Sequence, residues 1–315
     1  MITVICPTYN ECEYIEKVLD FFVKALPEDK ELVVVDGGSN DGTQKIVEEW
    51  SEKYNNIRLL ENPDKYVPFA LNIGIKNSSG DPIIRLDAHT EYANDYLEQI
   101  IETFKKSGAD IVGGPMNAVG NSTFQKAVAY ATGTQFAVGD SKIHQISYEG
   151  ESDHVYLGAW KRKLFDDIGY FDEKLKRNQD DEFHYRARSM GKKIYLNPKI
   201  KSYYYPRDSF SKLIKQYFQY GMYKPLVLKK VKSEIKLRHL VPSLFCIYFL
   251  GFPLAILNKY YLLLLFVYIL MDFYFSTLIN RNIKLSPYSI LIYPAIHLSY
   301  GFGFLYGVFR FGAKK

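Results

Sequence analysis

An α/β fold with a mostly parallel sheet, followed by a C-terminal transmembrane helical segment, is the architecture this 315-residue sequence predicts. Three observations carry the expectation. Short β-branched runs alternate with amphipathic segments over the first two hundred residues, polar Gly- and Asp-rich loops follow the apolar runs, and three long stretches near the end are almost free of charge.

Residues 2–6 and 32–36 read as buried strands, 57–60 and 83–87 as two more, and 110–113 as a fifth. Amphipathic segments at 14–25, 43–54, 69–77 and 96–106 fall between them, the strand–helix–strand rhythm of a parallel sheet. Such sheets bind ligands at the carboxyl ends of their strands. Polar residues gather there: "PTYNE" (7–11) after the first run, "DGGSNDGT" (36–43) after the second and "RLDAHT" (85–90) at the fourth. Gly37 and Gly38 permit positive φ, and Asp41 or Ser39 can cap the next helix. Asp36, at the tip of a buried strand, needs a partner, and the base or ribose of a nucleotide would supply one. Alternation along a strand puts Asp87 and His89 on one side, about 6–7 Å apart at Cα, where a carboxylate and an imidazole can share a divalent ion completed by a diphosphate. The region has no Walker A or G-x-G-x-x-G pattern, which disfavours a P-loop ATPase and a dinucleotide oxidoreductase.

The formal charge of +5 and mean hydropathy of −0.17 conceal two contrasting regions. Nine Lys or Arg stand between Arg207 and Arg238 against Asp208 and Glu234, a local +7 that leaves −2 for the rest. Beyond it, residues 240–257 carry no charge, 260–279 only Asp272, and 285–309 only the titratable His297. Lengths near 20 residues suit helices crossing a bilayer of about 30 Å. The division expected is therefore an α/β domain at 1–205, basic amphipathic interfacial helices at 206–238, and a membrane domain of about three transmembrane helices at 239–315. The Lys/Arg bias places the catalytic domain and the loop at Arg281 and Lys284 on the cytoplasmic side of the cell membrane, in contact with membrane lipids. The tail "RFGAKK" fits three spans less well, since three would export it. No basic leader precedes "MITVICPTYN". Cys6, Cys12 and Cys246 lack metal-ligand spacing and are expected to be reduced and inert. The basic run abuts membrane segments without a nucleic-acid motif, so no nucleic-acid partner is expected.

"VICPTYNE", "VVVDGGSNDGT", "ALNIGI", "IIRLDAHT", "GYFDEKLKRNQDDEFHYRAR" and "QYFQYG" occur in an order that resembles a family 2 inverting glycosyltransferase of the GT-A type, in its succinoglycan-biosynthesis ExoA-like branch, over about residues 1–240. The resemblance implies a GT-A Rossmann-like nucleotide-diphospho-sugar transferase fold and transfer of a sugar from a nucleoside-diphosphate donor, usually UDP-linked, with Mg²⁺ or Mn²⁺. It puts Pro7, Tyr9, Glu11 and Asp36 on the nucleotide, and Asp87, Ala88 and His89 at the family's Asp-x-Asp position, with His89 replacing the second Asp. It makes Asp180 the base, Gln179 standing where Glu is commoner.

Three adjacent acids, Asp180, Asp181 and Glu182, open a helical pattern (Phe183, Ala187, Met190) that stops at Gly191, so they occupy a first turn. The helix dipole and nearby arginines are expected to keep them ionised. Neighbours on a helix point about 100° apart, so the three cannot serve one proton. Glu182 is read either as orienting an acceptor hydroxyl or as pairing with Arg186 at i,i+4. Trp160 is read as a sugar platform or a core residue. Gln216 and Tyr220 lie in a segment that resembles an acceptor- or diphosphate-side motif of related synthases, with Gln219 in place of its Arg.

The function these readings favour is a membrane-anchored transferase that extends a lipid-linked saccharide acceptor by one sugar in polysaccharide or glycan biosynthesis. The alternatives are glycosylation of polyprenyl phosphate itself, and a non-catalytic membrane binding module on a degenerate transferase fold. Intact Asp36, Asp87 and Asp180 argue against the last.

Overall fold

The computed structural model describes residues 1–232, 235–256, 258–280 and 282–312. Arg281 and residues 313–315 of the tail, used above for orientation, lie outside the described residues, as do Glu234 of the basic run and Leu257 of the first apolar stretch. The chain forms two compact units, residues 1–117 with 145–204 and residues 118–144 with 205–315.

In chain order the first unit opens with β1 (Ile2–Thr8), α1 (Ile15–Lys24), β2 (Lys30–Asp36), α2 (Thr43–Lys53), β3 (Ile57–Glu61), α3 (Val67–Lys76), β4 (Ile83–Arg85), β5 (Glu91–Tyr92), α4 (Tyr96–Ser107) and β6 (Ile111–Gly114). The chain leaves through β7 (Asn117–Ala118), forms α5 (Thr123–Thr132) and α6 (Gln135–Val138) in the second unit, and returns. It then adds β8 (Gly150–Glu151), β9 (Tyr156–Trp160), α7 (Lys163–Ile168), α8 (Gln179–Ser189), β10 (Ile194–Leu196) and β11 (Ser202–Tyr204).

The main sheet runs β3-β2-β1-β4-β9-β6-β10-β8. β1 pairs in parallel with β2 and β4, β2 with β3, and β6 with β10. Every residue of β2 is buried, as a central parallel strand covered on both faces requires. Val4, Cys6, Leu32 and Val34 share one core with Ile15, Leu19 and Phe22 of α1 and Leu97 and Ile100 of α4. Burial raises the Cys6 thiol far above its ordinary value and keeps it protonated.

β9 is antiparallel to β4 and β6, which lie on either side of it. The loop that enters β9 therefore arrives at the edge where β1, β2 and β4 end, and the last residue of β9 lies at the opposite edge. β4 is shorter than the expected 83–87 and stops at Arg85, so Asp87 and His89 stand in a loop and turn, not on alternating strand positions. Asp87 leaves the strand because Arg85 grips its side chain and the Tyr92 hydroxyl meets its backbone N–H at 2.7 Å.

In the second unit, α9 (Phe210–Lys230), α10 (Leu237–Leu250), α11 (Leu262–Phe273) and α12 (Ser286–Gly312) join α5 and α6. Phe124, Val128, Leu213, Ile292 and Ile296 form its core. Glycines bring its helices into backbone contact. A Cβ added at Gly303 or Gly307 would lie 2.1 Å from the carbonyl oxygen of Phe218 or Met222, and one at Gly301 2.2 Å from that of Pro242. The pairs 218–303 and 222–307 run in the same order, so α9 and α12 are parallel neighbours with a small-residue seam. Gly307→Leu is expected to destabilise this unit by about 3 kcal/mol or more, since backbone rather than a rotatable side chain must give way. An unchanged thermal unfolding midpoint in detergent would contradict it.

Two helices among the described residues are long and apolar enough to cross a membrane, Lys259–Ile279 and Ser286–Gly312. Among the described residues the expected third stretch, at 240–257, is not one continuous long helix. α10 ends after 14 residues, a length of about 21 Å. Gly251 closes it with N–H bonds to Ile247 and Tyr248, and a 3₁₀ segment, Phe252–Ile256, follows. Along 259–279 the side chains are mostly uncovered, including Leu263, Leu264, Phe266 and Leu270, whereas half of the apolar part of α12 is packed inside its unit.

Candidate active site

The loops after β1 and β2 are knitted together. Gly37 N–H donates to Thr8 O (2.8 Å), Asn10 N–H to Ser39 Oγ (2.7 Å), Asn40 N–H to Asn10 Oδ1 (3.0 Å) and Glu11 N–H to Thr43 Oγ1 (2.9 Å). Asn10 adopts φ 56°, which lets its side chain turn back onto residue 40. Asp41 accepts from the backbone N–H groups of Cys12 and Thr43 and from the Thr43 hydroxyl, so it fastens the start of α2, and these bonds hold its carboxyl well below the usual range.

Asp36 is buried and its carboxylate receives five donors: the hydroxyls of Thr8 and Ser39, the N–H groups of Gly38 and Ser39, and Gln44 Nε2. Burial alone would raise its pKa, but the hydrogen bonds from Ser39, Gln44 and Thr8 outweigh it and the group stays ionised. The partner expected from a base or ribose is thus supplied by the loop itself. Tyr9 is exposed beside this loop, with Lys65 Nζ 5.4 Å from its ring centre. Pro7, in β1, pairs with Val35 of β2.

At the end of β4, Arg85 and Asp87 form a two-pronged ion pair, Nε–Oδ1 2.7 Å and Nη2–Oδ2 3.0 Å, with both side chains largely buried. Burial would weaken the Arg85 charge, but Asp87 more than offsets this and the guanidinium stays charged. Ala88 is buried beside the pair. His89 Nδ1 lies 3.2 Å from Glu11 Oε1, tying the third loop to the first. A proton on Nδ1 would bond Glu11 and leave the ring's lone pair on Nε2, the arrangement that orients metal-binding histidines. Among the described residues no group of three His, Cys, Asp or Glu converges as a metal cluster. The Asp87 carboxylate is engaged by Arg85 and the His89 ring by Glu11, and each Asp87 oxygen keeps a second lone pair beyond its bond to Arg85.

Asp180, Asp181 and Glu182 occupy the first turn of α8, as the pattern predicts. Asn178, at φ 58°, precedes the helix. Burial, then the charge of Asp181, push the Asp180 carboxyl above its ordinary value, while Arg85, the Asp181 N–H and His154 pull it partly back. Arg85 thus acts on Asp87 and on Asp180 alike. Glu182 is 3% exposed and makes a two-pronged pair with Arg186, Nε–Oε1 2.9 Å and Nη2–Oε2 3.0 Å. The i,i+4 pairing is the alternative formed, with both carboxylate oxygens on the Arg186 guanidinium.

Trp160 is a core residue and not a sugar platform. It is 1% exposed, packs edge-on against Phe165, Phe171 and Phe183, and pairs with Ile83 and Ile111 at the edge away from Asp87. Gln216 and Tyr220 belong to the second unit, where Gln216 Nε2 donates to the Tyr220 hydroxyl at 2.9 Å. Arg85 and Tyr156 carry no reading of their own in the sequence, and His184 is read there as structural or substrate-facing. The Tyr156 phenol is kept protonated by burial and then by Asp87, while burial, then His154, lowers His184 to about 3 and leaves it neutral. The one signal for Arg85 was its place inside "RLDAHT", two residues before Asp87.

A mostly parallel sheet with three polar loops knitted at its carboxyl edge and an acid-opened helix beside them defines the GT-A class of nucleotide-diphospho-sugar transferases. A model described as "Glycosyl transferase family 2" matches residues 3–169, and the chain belongs to that family. Succinoglycan biosynthesis protein ExoA of Rhizobium meliloti is 32% identical over 81% of this chain and 78% of its own length. A dolichyl N-acetyl-α-D-glucosaminyl phosphate 3-β-D-2,3-diacetamido-2,3-dideoxy-β-D-glucuronosyltransferase of Methanococcus voltae is 34% identical over 73% of this chain and 74% of its own. The mannosyltransferase PcManGT of Pyrobaculum calidifontis, solved with GDP-Man and Mn²⁺, superimposes with a TM-score of 0.62 at 20% identity over 96% of this chain and 86% of that one. S. aureus TarS, solved with UDP-GlcNAc, gives 0.52 at 18% identity over 99% and 92%. The chain is a glycosyltransferase whose family transfers sugars to glycan or lipid-linked acceptors.

Proposed function

We propose that this chain is an inverting, metal-dependent transferase that moves one sugar from a UDP-sugar to a lipid-linked saccharide at the membrane surface. The observation that carries the reading is the placement of Arg85, paired with Asp87 at the end of β4 while its charge also reaches Asp180 on α8. A donor sugar near Asp87 and a base at Asp180 then share one neighbourhood.

In this reading the nucleotide lies against Pro7, Tyr9 and Glu11, beside the loop that the buried Asp36 carboxylate holds together, and the diphosphate against Asp87 and Ala88. Asp87 and His89 would hold Mg²⁺ or Mn²⁺, which screens the diphosphate charge as it leaves. Asp180 accepts the proton of the acceptor hydroxyl as that oxygen bonds the anomeric carbon. The bond from that carbon to the diphosphate breaks on the opposite face, its electron pair leaving with the nucleotide, so the configuration inverts. A carboxyl raised by burial is a better base than an ordinary one, provided the reaction pH stays above its pKa.

The uncovered apolar side chains of α10 and of residues 259–279 support attachment to a membrane, and the basic run beside them supports the cytoplasmic leaflet. The sheet-bearing portion within 1–205, the basic region 206–238 and the apolar region 239–315 would divide the work as catalysis, surface contact and anchoring. Full-length protein in detergent, supplied with a lipid-linked saccharide and UDP-Glc, UDP-Gal, UDP-GlcNAc or GDP-Man with Mn²⁺ or Mg²⁺, is expected to release UDP from one donor and extend the acceptor by a single sugar. Release of GDP alone would overturn the donor assignment, long polymer the single addition, and no turnover with any pair the reading itself.

A further inference from the structure

β9 breaks its own alternation. Between the pairs Ala159–Val112 and Tyr156–Gly114 it has two residues, Leu157 and Gly158, where β6 has only Gly113. Both take positive φ, 60° and 89°, and for a leucine that conformation costs about 1–3 kcal/mol. An extra residue of this kind re-aims the side chains beyond it. Trp160, on one side of the bulge, stays in the core against Phe183, while Tyr156, on the other, meets Tyr204 of β11 edge-on, with ring centres 6.0 Å apart and planes at 65°. The strand thus packs at one end and presents an aromatic ring at the other.

The pairing registers put these two rings beside the donor loop. β9 runs antiparallel to β4, and the pairs Ile83–Trp160 and Ile84–Ala159 carry Tyr156 to the level of Leu86 and Asp87. β11 runs antiparallel to β5, and the pairs Ser202–Tyr92 and Tyr203–Glu91 carry Tyr204 to the level of Thr90. Residues 87–90 are therefore flanked by one tyrosine from each sheet. Both rings are partly exposed, and an edge-on pair makes a corner rather than a closed stack. The sheet order is β2-β1-β4-β9, so the loops read as holding the nucleotide, the diphosphate position at Asp87 and then Tyr156 follow one another along the edge, at about 4.8 Å per strand. Beyond the diphosphate of a donor comes its sugar. A pyranose has an apolar face of C–H bonds and a rim of hydroxyls, which matches the apolar ring and polar tip of a tyrosine.

We propose that Tyr156 and Tyr204 form the platform that holds the sugar being transferred, the role that Trp160, at 1% exposure, is too buried to fill. The inference rests on the donor reading given under the proposed function, and it concerns the sugar of that donor and not its nucleotide.

Tyr156→Leu and Tyr204→Leu each remove a ring, whereas Tyr156→Phe keeps the ring and loses only the hydroxyl. In full-length protein with Mn²⁺, calorimetry compares the donor that the panel above selects with its nucleoside diphosphate, which lacks the sugar. Each Leu variant is expected to bind the donor about tenfold more weakly than the parent and the nucleoside diphosphate equally well, while Tyr156→Phe stays within about threefold of the parent for both. A tyrosine that only packs would weaken both ligands together, or lower the yield of folded protein without separating them. That result overturns the inference, as does a Tyr156→Phe loss as large as that of Tyr156→Leu. A raised KM for the acceptor with unaltered donor binding would assign the corner to the acceptor sugar and overturn it too. Should one Leu variant fail to fold, the other decides. Should neither fold, Tyr156→Trp decides, since a larger ring at this corner must change donor affinity and leave that of the nucleoside diphosphate unchanged. If instead the parent binds the nucleoside diphosphate but transfers sugar from no donor, the functional reading fails, and the platform with it.

Discussion

Asp180→Asn is expected to lower sugar transfer by about 10²- to 10⁴-fold while UDP binding stays near that of the parent, the range a positioned general base supplies. The amide keeps the size of the side chain and an oxygen to accept the Asp181 N–H, which bonds Asp180 Oδ1 at 2.9 Å, so the start of α8 is preserved. What disappears is the ability to take a proton. The same residue predicts the acid side of the rate profile. Because burial and Asp181 raise the Asp180 carboxyl, activity falls as the pH drops through a pKa above the ordinary carboxylate value. Asp181→Asn removes the neighbouring charge and should move that limb to lower pH. Titration of transfer rate with the two variants and calorimetry with UDP check these statements together. An Asp180→Asn enzyme with parental turnover would reduce the acids of α8 to a helix start without chemistry.

The sequence revealed the edge of the sheet more readily than its middle. "PTYNE" and "DGGSNDGT" are legible because loop glycines and short polar side chains after an apolar run announce a strand end wherever they occur. Trp160 was ambiguous because its meaning depends on strand direction. β9 runs antiparallel, which carries Trp160 to the far edge and brings the loop with Asp153 and His154 to the near one. No local pattern encodes that reversal. Glu182 had two readings at equal sequence cost, and burial selected the pairing with Arg186. Residues 118–144 join the helical unit because Phe124, Val128 and Ala131 pack on Leu213 and Ile292, contacts separated by tens of residues in sequence. Hydropathy overestimated the first apolar stretch, since composition gives length only if the helix continues and α10 stops at Gly251.

Arg186→Met is the change expected to cost most in stability, about 3–5 kcal/mol, because it leaves the Glu182 carboxylate buried without its cation. Arg186 also donates to the carbonyl oxygens of Ile168, Gly169 and Tyr170, so one guanidinium fastens α8 to the turn that follows α7. That turn is held from its other side by Asn72 of α3: Phe171 N–H donates to Asn72 Oδ1 at 3.0 Å, and Asn72 Nδ2 returns a bond to Phe171 O at 2.9 Å. The chain from α3 through the 168–171 turn to α8 is therefore polar at each joint, with Asn72, Phe171 and Glu182 buried, and it sets where α8 starts. Glu182→Gln combined with Arg186→Met removes the stranded charge and should recover part of the loss. It cannot recover all of it, since the three carbonyls remain without the guanidinium. Thermal unfolding in detergent of the two single variants and the double, read as a cycle, separates the terms. A double variant no more stable than Arg186→Met would mean that the carbonyl bonds, and not the ion pair, hold the base-bearing helix in place.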